Sequence, residues 1–264
     1  MFDSNPNLVQ DPMPGTAASR ATPLVLFHDG GGTVFSYYLL EDLGRPVYGI
    51  ANPRFYSGEP WEGGLPEMAR HYIGYIREAV PPGPVLVGGW SLGGLLALEV
   101  AGQLERDRDY AVAGILMVDS ICPLKWQHID VPIVSRKLEW SPSTKEETRV
   151  AVTRCFEQAG RMALAYRPPA FREAPPPAIL LRALEPVPVP ASEDGGGGGG
   201  LGMLRVDVHR TDPRLGWDEY RKDLFYRIDD IRGHHFSIFT FENLGDVHEK
   251  MVDACRTLEE LSDL

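Results

Sequence analysis

Pro84-Val-Leu-Val-Gly-Gly-Trp-Ser91-Leu-Gly-Gly-Leu-Leu-Ala-Leu-Glu-Val-Ala101 is the stretch that decides how this chain folds. An apolar run leads through two glycines to Trp90 and Ser91, and a second apolar run follows two more glycines. The first run reads as a buried strand over 84–90 and the second as a helix over 92–106. A strand that turns into a helix within one or two residues forces the serine at the turn into strained backbone angles. Glycine on both sides removes the side chains that would collide there.

Working outward, the same rhythm recurs. Short apolar strands are expected at 22–28, 47–51, 111–118 and 177–182. An amphipathic helix over 65–80, with Leu65, Met68, Tyr72, Ile73 and Ile76 on one face, stops at Pro81-Pro82. Strands alternating with helices imply an α/β fold with a mostly parallel sheet covered on both faces. The last helix, 244–261, carries Leu244, Val247, Met251, Cys255 and Leu258 at helical spacing. From about 122 to 177 the rhythm breaks, and this stretch, with a helix over 145–166, is read as a lid inserted into the sheet scheme. Residues 186–201, ending in six glycines, read as a flexible loop, and residues 1–20, polar and proline-containing, as a disordered lead-in. The domain proper is then 21–264.

Bulk properties narrow the function. The 264 residues are 43% apolar, which is enough for a sizeable core, and the formal charge of −11 disfavours nucleic acid or an anionic membrane as partner. No apolar run approaches the length of a membrane span, and the N-terminus lacks the basic and apolar segments of a signal peptide. Three well-separated cysteines, Cys122, Cys155 and Cys255, fit reduced thiols in a cytoplasmic chain. No metal or cofactor is expected.

A serine presented above the carboxyl edge of a parallel sheet, at the N-terminus of a helix, is the nucleophile arrangement of the α/β-hydrolase fold. Ser91 is therefore the candidate nucleophile. His28-Asp-Gly-Gly-Gly-Thr33 follows the first strong strand, where this fold places part of its oxyanion hole. Leu92 N–H is one expected donor, and Gly30 or Gly31 N–H the other. In chain order the fold runs serine, acid, histidine. That order sets aside His28 and His71 among the seven histidines and favours the loop pair His234-His235 over His128, His209 and His248. For the acid, Asp119 and Glu185 each end a strand and are nearly level on fold geometry, with Asp212 as a third choice.

These motifs carry a resemblance. Leu26-Phe-His-Asp-Gly-Gly-Gly, Gly88-Gly-Trp-Ser-Leu-Gly-Gly, Gly114-Ile-Leu-Met-Val-Asp-Ser120 and Gly233-His-His-Phe-Ser-Ile together resemble the thioesterase domains of polyketide synthases and nonribosomal peptide synthetases, the fungal type above all. The resemblance spans about Thr22 to Leu261, leaving the lid and the glycine loop unmatched. It implies Asp119 as the acid and His235 as the base, with His234 at the variable position. It also implies a carrier-protein-bound or phosphopantetheine-bound acyl chain as substrate, released by water or by cyclisation. With Met1 at the start and no carrier-protein segment upstream, a stand-alone, trans-acting enzyme is expected.

Lid residues would choose the acyl group, and Trp126, Trp140 and Tyr166 are the weak candidates for lining its chamber. Arg205, Arg210, Arg214, Arg221 and Lys222 make a local basic excess, either a solvated surface or a docking patch for an acidic carrier protein. Two other classes stay open on sequence: an esterase or lipase-like enzyme of free oxygen esters, and a non-catalytic binding protein on a hydrolase fold.

Overall fold

The computed structural model describes residues 5–124, 133–134, 138, 140–189 and 203–262. A seven-stranded sheet forms the centre. In chain order its strands are β1 (Asn7–Gln10), β2 (Leu24–Phe27), β3 (Val47–Ile50), β4 (Gly83–Trp90), β5 (Tyr110–Val118), β7 (Ala178–Glu185) and β9 (Phe225–His234). A separate pair, β6 (Ile133–Val134) and β8 (Met203–Leu204), lies in the inserted regions. The spatial order is β1-β3-β2-β4-β5-β7-β9, and every neighbouring pair is parallel except β1 with β3.

The central strands alternate their side chains between two cores, as a pleated strand buried on both faces must. Val25 and Phe27 of β2, Ile115 and Met117 of β5, and Leu180 of β7 join α1 (Gly64–Ala79) and α2 (Leu92–Leu104) on one face. Leu24, Leu26, Leu116, Val118, Ile179 and Leu181 meet α4 (Leu244–Ser262) on the other. Helix α1 buries Leu65, Met68, Ala69, Tyr72 and Ile76, the stripe expected from its spacing. Helix α2 is buried almost all round, so it is apolar on most sides; its polar side chains are Glu99, whose carboxylate accepts the Tyr166 hydroxyl at 3.0 Å, and Gln103, which donates to Glu99 at 2.9 Å. Helix α3 (Glu146–Ala165) lies in the insertion between β5 and β7.

One expectation needs correcting. Part of the polar lead-in is an ordered edge strand. Asn7, Leu8 and Gln10 of β1 pair with Gly49, Tyr48 and Val47 of β3. The amides that suggested disorder instead bond backbone: Asn5 brackets Ala51 by its N–H and C=O, and Gln10 donates to Glu41 O and accepts from Leu43 N–H. The glycine tract falls in 190–202, outside the described residues. Among the described residues, no helix is long and apolar enough to cross a membrane.

Candidate active site

The site grows from the turn between β4 and α2. Ser91 adopts φ 57 and ψ −115, a conformation that favours glycine, and its N–H donates to Val118 O at 2.9 Å. Two glycines make this turn possible. A Cβ on Gly89 would stand 2.7 Å from Phe27 O, and one on Gly93 only 2.4 Å from the same oxygen. Behind the turn, the buried Tyr37 hydroxyl donates to Phe27 O at 2.7 Å and accepts Trp90 N–H at 2.9 Å.

Two further strand ends converge on Ser91. Asp119 directly follows β5, also at positive φ (45), fully buried, with its N–H on Leu181 O at 2.7 Å. Strand β9 ends in Gly233 and His234, and His235 follows. The His235 ring lies between the two: Nδ1 is 2.8 Å from Asp119 Oδ2, and Nε2 is 3.1 Å from Ser91 Oγ. A carboxylate only accepts, so the ring proton sits on Nδ1 and leaves Nε2 to accept the serine hydroxyl. The rings of Trp90 and Phe236 flank the imidazole at 5.5 and 4.9 Å. Such a row can take a proton from the hydroxyl as the oxygen attacks a carbonyl.

The Asp119 carboxylate is unusually well held. Oδ1 accepts Ala183 N–H at 2.9 Å and Arg210 at 2.6 Å, while Oδ2 accepts Arg210 at 2.7 Å beside His235. Burial alone would raise this carboxyl, but the hydrogen bonds from Arg210 and His235 override it and hold it at about 2. Of the other acids, Glu185 is exposed at the end of β7, and Asp212 accepts Arg214 and Gly216 N–H in a local turn.

The loop after β2, residues 28–32, treats its two candidate donors differently. Gly31 N–H is spent on Asp29 Oδ1 at 3.0 Å, whereas Gly30 lines the same cavity as Ser91, Leu92 and His235. Burial pushes the Asp29 carboxyl up to about 7, although Gly31 N–H bonds to it. His28 lies beneath, between Asp29 O and the Tyr72 hydroxyl at 2.6 Å each. Burial lowers it to about 4, so it is neutral.

The cavity has a volume of about 790 Å³. Its wall is mainly apolar, with Leu95, Ile121, Trp140, Phe156, Leu204 and Phe236, and it carries Glu157, Arg161 and Arg205 as charged members. A shallower groove of about 460 Å³ on α1, around Trp61, His71 and Tyr75, contains none of the Ser91 group.

Comparison with known proteins gives the family. The thioesterase-domain profile matches residues 22–150. The chain is 34% identical over 262 residues to Thioesterase AMT4 of Alternaria alternata, across 97% of this chain and 93% of that one. The chain belongs to the thioesterase family. It is also 30% identical over 282 residues to the Nonribosomal peptide synthetase imqB of Aspergillus flavus, covering 97% of this chain but 8% of that much longer protein. Among solved structures, the NocB thioesterase domain in covalent complex with a fluorophosphonate nocardicin G analogue is similar at TM-score 0.62 and 26% identity. That alignment covers 89% of this chain and 94% of that one.

In this thioesterase the remaining expectations divide. Trp140 lines the cavity, but Tyr166 does not: it is buried against the α2 core, its hydroxyl bound to Glu99, because a phenol next to a buried carboxylate gains more from that bond than from facing the chamber. Trp126 falls outside the described residues. The basic cluster is mostly consumed internally. Arg210 is buried on Asp119 and Asp207, Arg214 pairs with Asp218, and Arg221 with Asp223. Arg210 and Tyr37 are the two neighbours of the site that motif reading passes over. Neither sits in a motif, and no sequence spacing ties either to Ser91.

Proposed function

We propose that this member of the thioesterase family is a serine enzyme that releases an acyl chain from a carrier-bound thioester through an acyl-Ser91 intermediate. The observation that carries the reading is the position of His235, within hydrogen-bond reach of both Ser91 Oγ and Asp119. His235 Nε2 takes the hydroxyl proton as Oγ bonds to the thioester carbonyl carbon. Leu92 and Gly30 N–H receive the oxyanion, at the positively polarised start of α2. Collapse breaks the C–S bond, and the imidazolium returns its proton to the departing thiolate. Water, or a hydroxyl or carbon nucleophile within the chain, then attacks the ester with His235 again as base. Asp119 keeps the ring in the required tautomer and stabilises the imidazolium.

The apolar cavity beside Ser91 suits an acyl chain, and the likeness to one segment of a peptide synthetase supports a phosphopantetheine-carried donor. A cytoplasmic setting fits three buried, unpaired thiols. The test is mass spectrometry after a fluorophosphonate and, separately, after an acyl thioester of N-acetylcysteamine. One adduct on the Ser91 peptide, absent from Ser91→Ala, is expected in each case. Failure of the fluorophosphonate to label, or a strong preference for the matched oxygen ester, would overturn the reading.

A further inference from the structure

Behind the acid lies a buried assembly of three charges that the reaction as proposed does not use. Arg210 places all five of its N–H donors. One terminal nitrogen bonds Asp119 Oδ1 at 2.6 Å and Ala183 O at 2.8 Å, and the other bonds Asp119 Oδ2 at 2.7 Å and Val206 O at 3.1 Å. Nε bonds Asp207 Oδ1 at 3.0 Å, and Asp207 Oδ2 accepts Val187 N–H at 2.7 Å. All three side chains are nearly sealed, at 0, 5 and 7% exposure for Asp119, Asp207 and Arg210. Burying three ions costs more than it returns in stability unless geometry is close to ideal, and an apolar trio of the same volume would hold the fold as well. Their retention behind one histidine therefore points to the site itself.

The charge balance shows what each contributes. Asp119 with Arg210 alone would be a neutral pair, and an imidazolium formed at His235 would face no net charge. Asp207 restores the balance: two carboxylates and one guanidinium leave −1, the charge of a single carboxylate. The clamp thus gains a rigid acid, fixed through both oxygens, without losing the charge that the acid must present. It also reaches the cavity, since Leu204, Arg205 and Val206 of the wall directly precede Asp207.

We propose that Arg210 and Asp207 are positioning residues: the guanidinium, shared between two buried carboxylates, fixes Asp119 against His235, and Asp207 preserves the net charge that His235 faces. This rests on the serine mechanism proposed above. The charged and titratable groups around His235 are Asp119 from the end of β5, Ser91 from the turn, and His234 directly before it at the end of β9. Glu185 stands opposite His234 in register on β7, Arg205 comes from the wall, and Glu157 and Arg161 from α3 across the cavity. Only the charges behind Asp119 change in the variants below.

The experiment measures, on the full chain, the pH dependence of Ser91 phosphonylation by a fluorophosphonate and of kcat/KM on an N-acetylcysteamine thioester. Asp207→Asn, nearly isosteric, should move the acidic limb of both profiles down by about half a pH unit, because the imidazolium loses the negative charge that balances Arg210 behind Asp119 in a low-dielectric interior. Arg210→Gln should move the limb up by a similar amount and lower the rate at least tenfold. Arg210→Lys keeps the charge but lacks the planar fork that clasps both oxygens and Asp207 at once, so the limb should stay while kcat falls roughly tenfold. Near-UV circular dichroism identifies the folded variants; should Arg210→Gln not fold, the opposed behaviour of Asp207→Asn and Arg210→Lys decides. Limbs unmoved in Asp207→Asn and Arg210→Gln, with rates lowered only in proportion to the folded fraction, would reduce the trio to a structural role and overturn the proposal. Asp119→Asn serves as the control. If it leaves the rate unchanged, the serine mechanism itself is wrong; if it abolishes activity while the Arg210 and Asp207 variants behave as wild type, only the inference made here fails.

Discussion

Tyr37→Phe removes one oxygen atom from behind the nucleophile turn, and its cost follows from what that oxygen does. The hydroxyl is buried, donates to the carbonyl that closes β2, and accepts the N–H of the residue before Ser91. Burial pushes its ionisation well above the ordinary tyrosine range, so it stays a donor at every working pH. Phenylalanine keeps the ring and its edge-on contact with Phe239, at 5.9 Å, so packing is unchanged. What is lost is the partner of two buried backbone groups, each worth about 1–3 kcal/mol when left unsatisfied. We therefore expect a loss of about 3 kcal/mol in urea unfolding followed by circular dichroism, with m unchanged. At roughly 2–4 °C per kcal/mol for a domain of this size, Tm should fall by about 10 °C. Because the same oxygen ties the end of β2, directly before the 28–32 loop, to the serine turn, phosphonylation of the folded variant should also slow, by about tenfold. A destabilisation below about 0.5 kcal/mol with an unaltered rate would show that the hydroxyl is not the tie described.

Asp119→Asn should lower kcat by on the order of 10³–10⁴, by leaving His235 in the wrong tautomer, while Glu185→Gln at an exposed strand end should change it less than twofold; steady-state assays on both decide between the acids. Gly93→Ala should give no folded protein by circular dichroism, since its Cβ would stand 2.4 Å from a backbone oxygen that cannot yield. Asp29 is raised in the folded chain to about 7 from an ordinary carboxylate value, so it favours the folded state at low pH and that contribution is lost as pH rises towards 7. Asp29→Asn should therefore flatten the fall of Tm between about pH 4 and pH 7, and an unchanged slope would count against a protonated Asp29.

The strands that build the sheet were legible because buried parallel strands are continuous apolar runs bounded by glycine and proline, and Ser91 because a tight strand-to-helix turn requires glycines at fixed positions. His235 and Asp119 needed the family resemblance as well, since Glu185 ends a neighbouring strand just as plausibly on paper. Three things stayed hidden. The edge strand Asn7–Gln10 lies in a segment whose composition suggests disorder; its pairing with β3, the Gln10 amide bonds to Glu41 and Leu43, and those of the preceding Asn5 to Ala51 reveal it. Arg210 stands in a stretch of alternating charge that reads as solvated surface, and its burial depends on a carboxylate 91 residues away. Tyr166 shows the reverse case: an aromatic in the insertion suits a chamber wall or plain lid–core packing equally on paper, and only the buried Glu99 carboxylate shows why it packs into the core.

Helix α3 bears on what a redesign of this enzyme would meet. Its Phe156 ring both lines the chamber and rests on the glycine loop, so closely that a Cβ on Gly30 would stand 2.9 Å from its Cδ1. The neighbouring turn fastens the helix to the 55–58 loop through Arg154 and Gln158. Chamber shape and loop placement thus share one side chain. Enlarging the chamber at Phe156 to admit a bulkier chain would also loosen the loop that carries Gly30, whereas a change at Trp140, which lines the chamber from outside α3, leaves breadth and speed to be tuned apart.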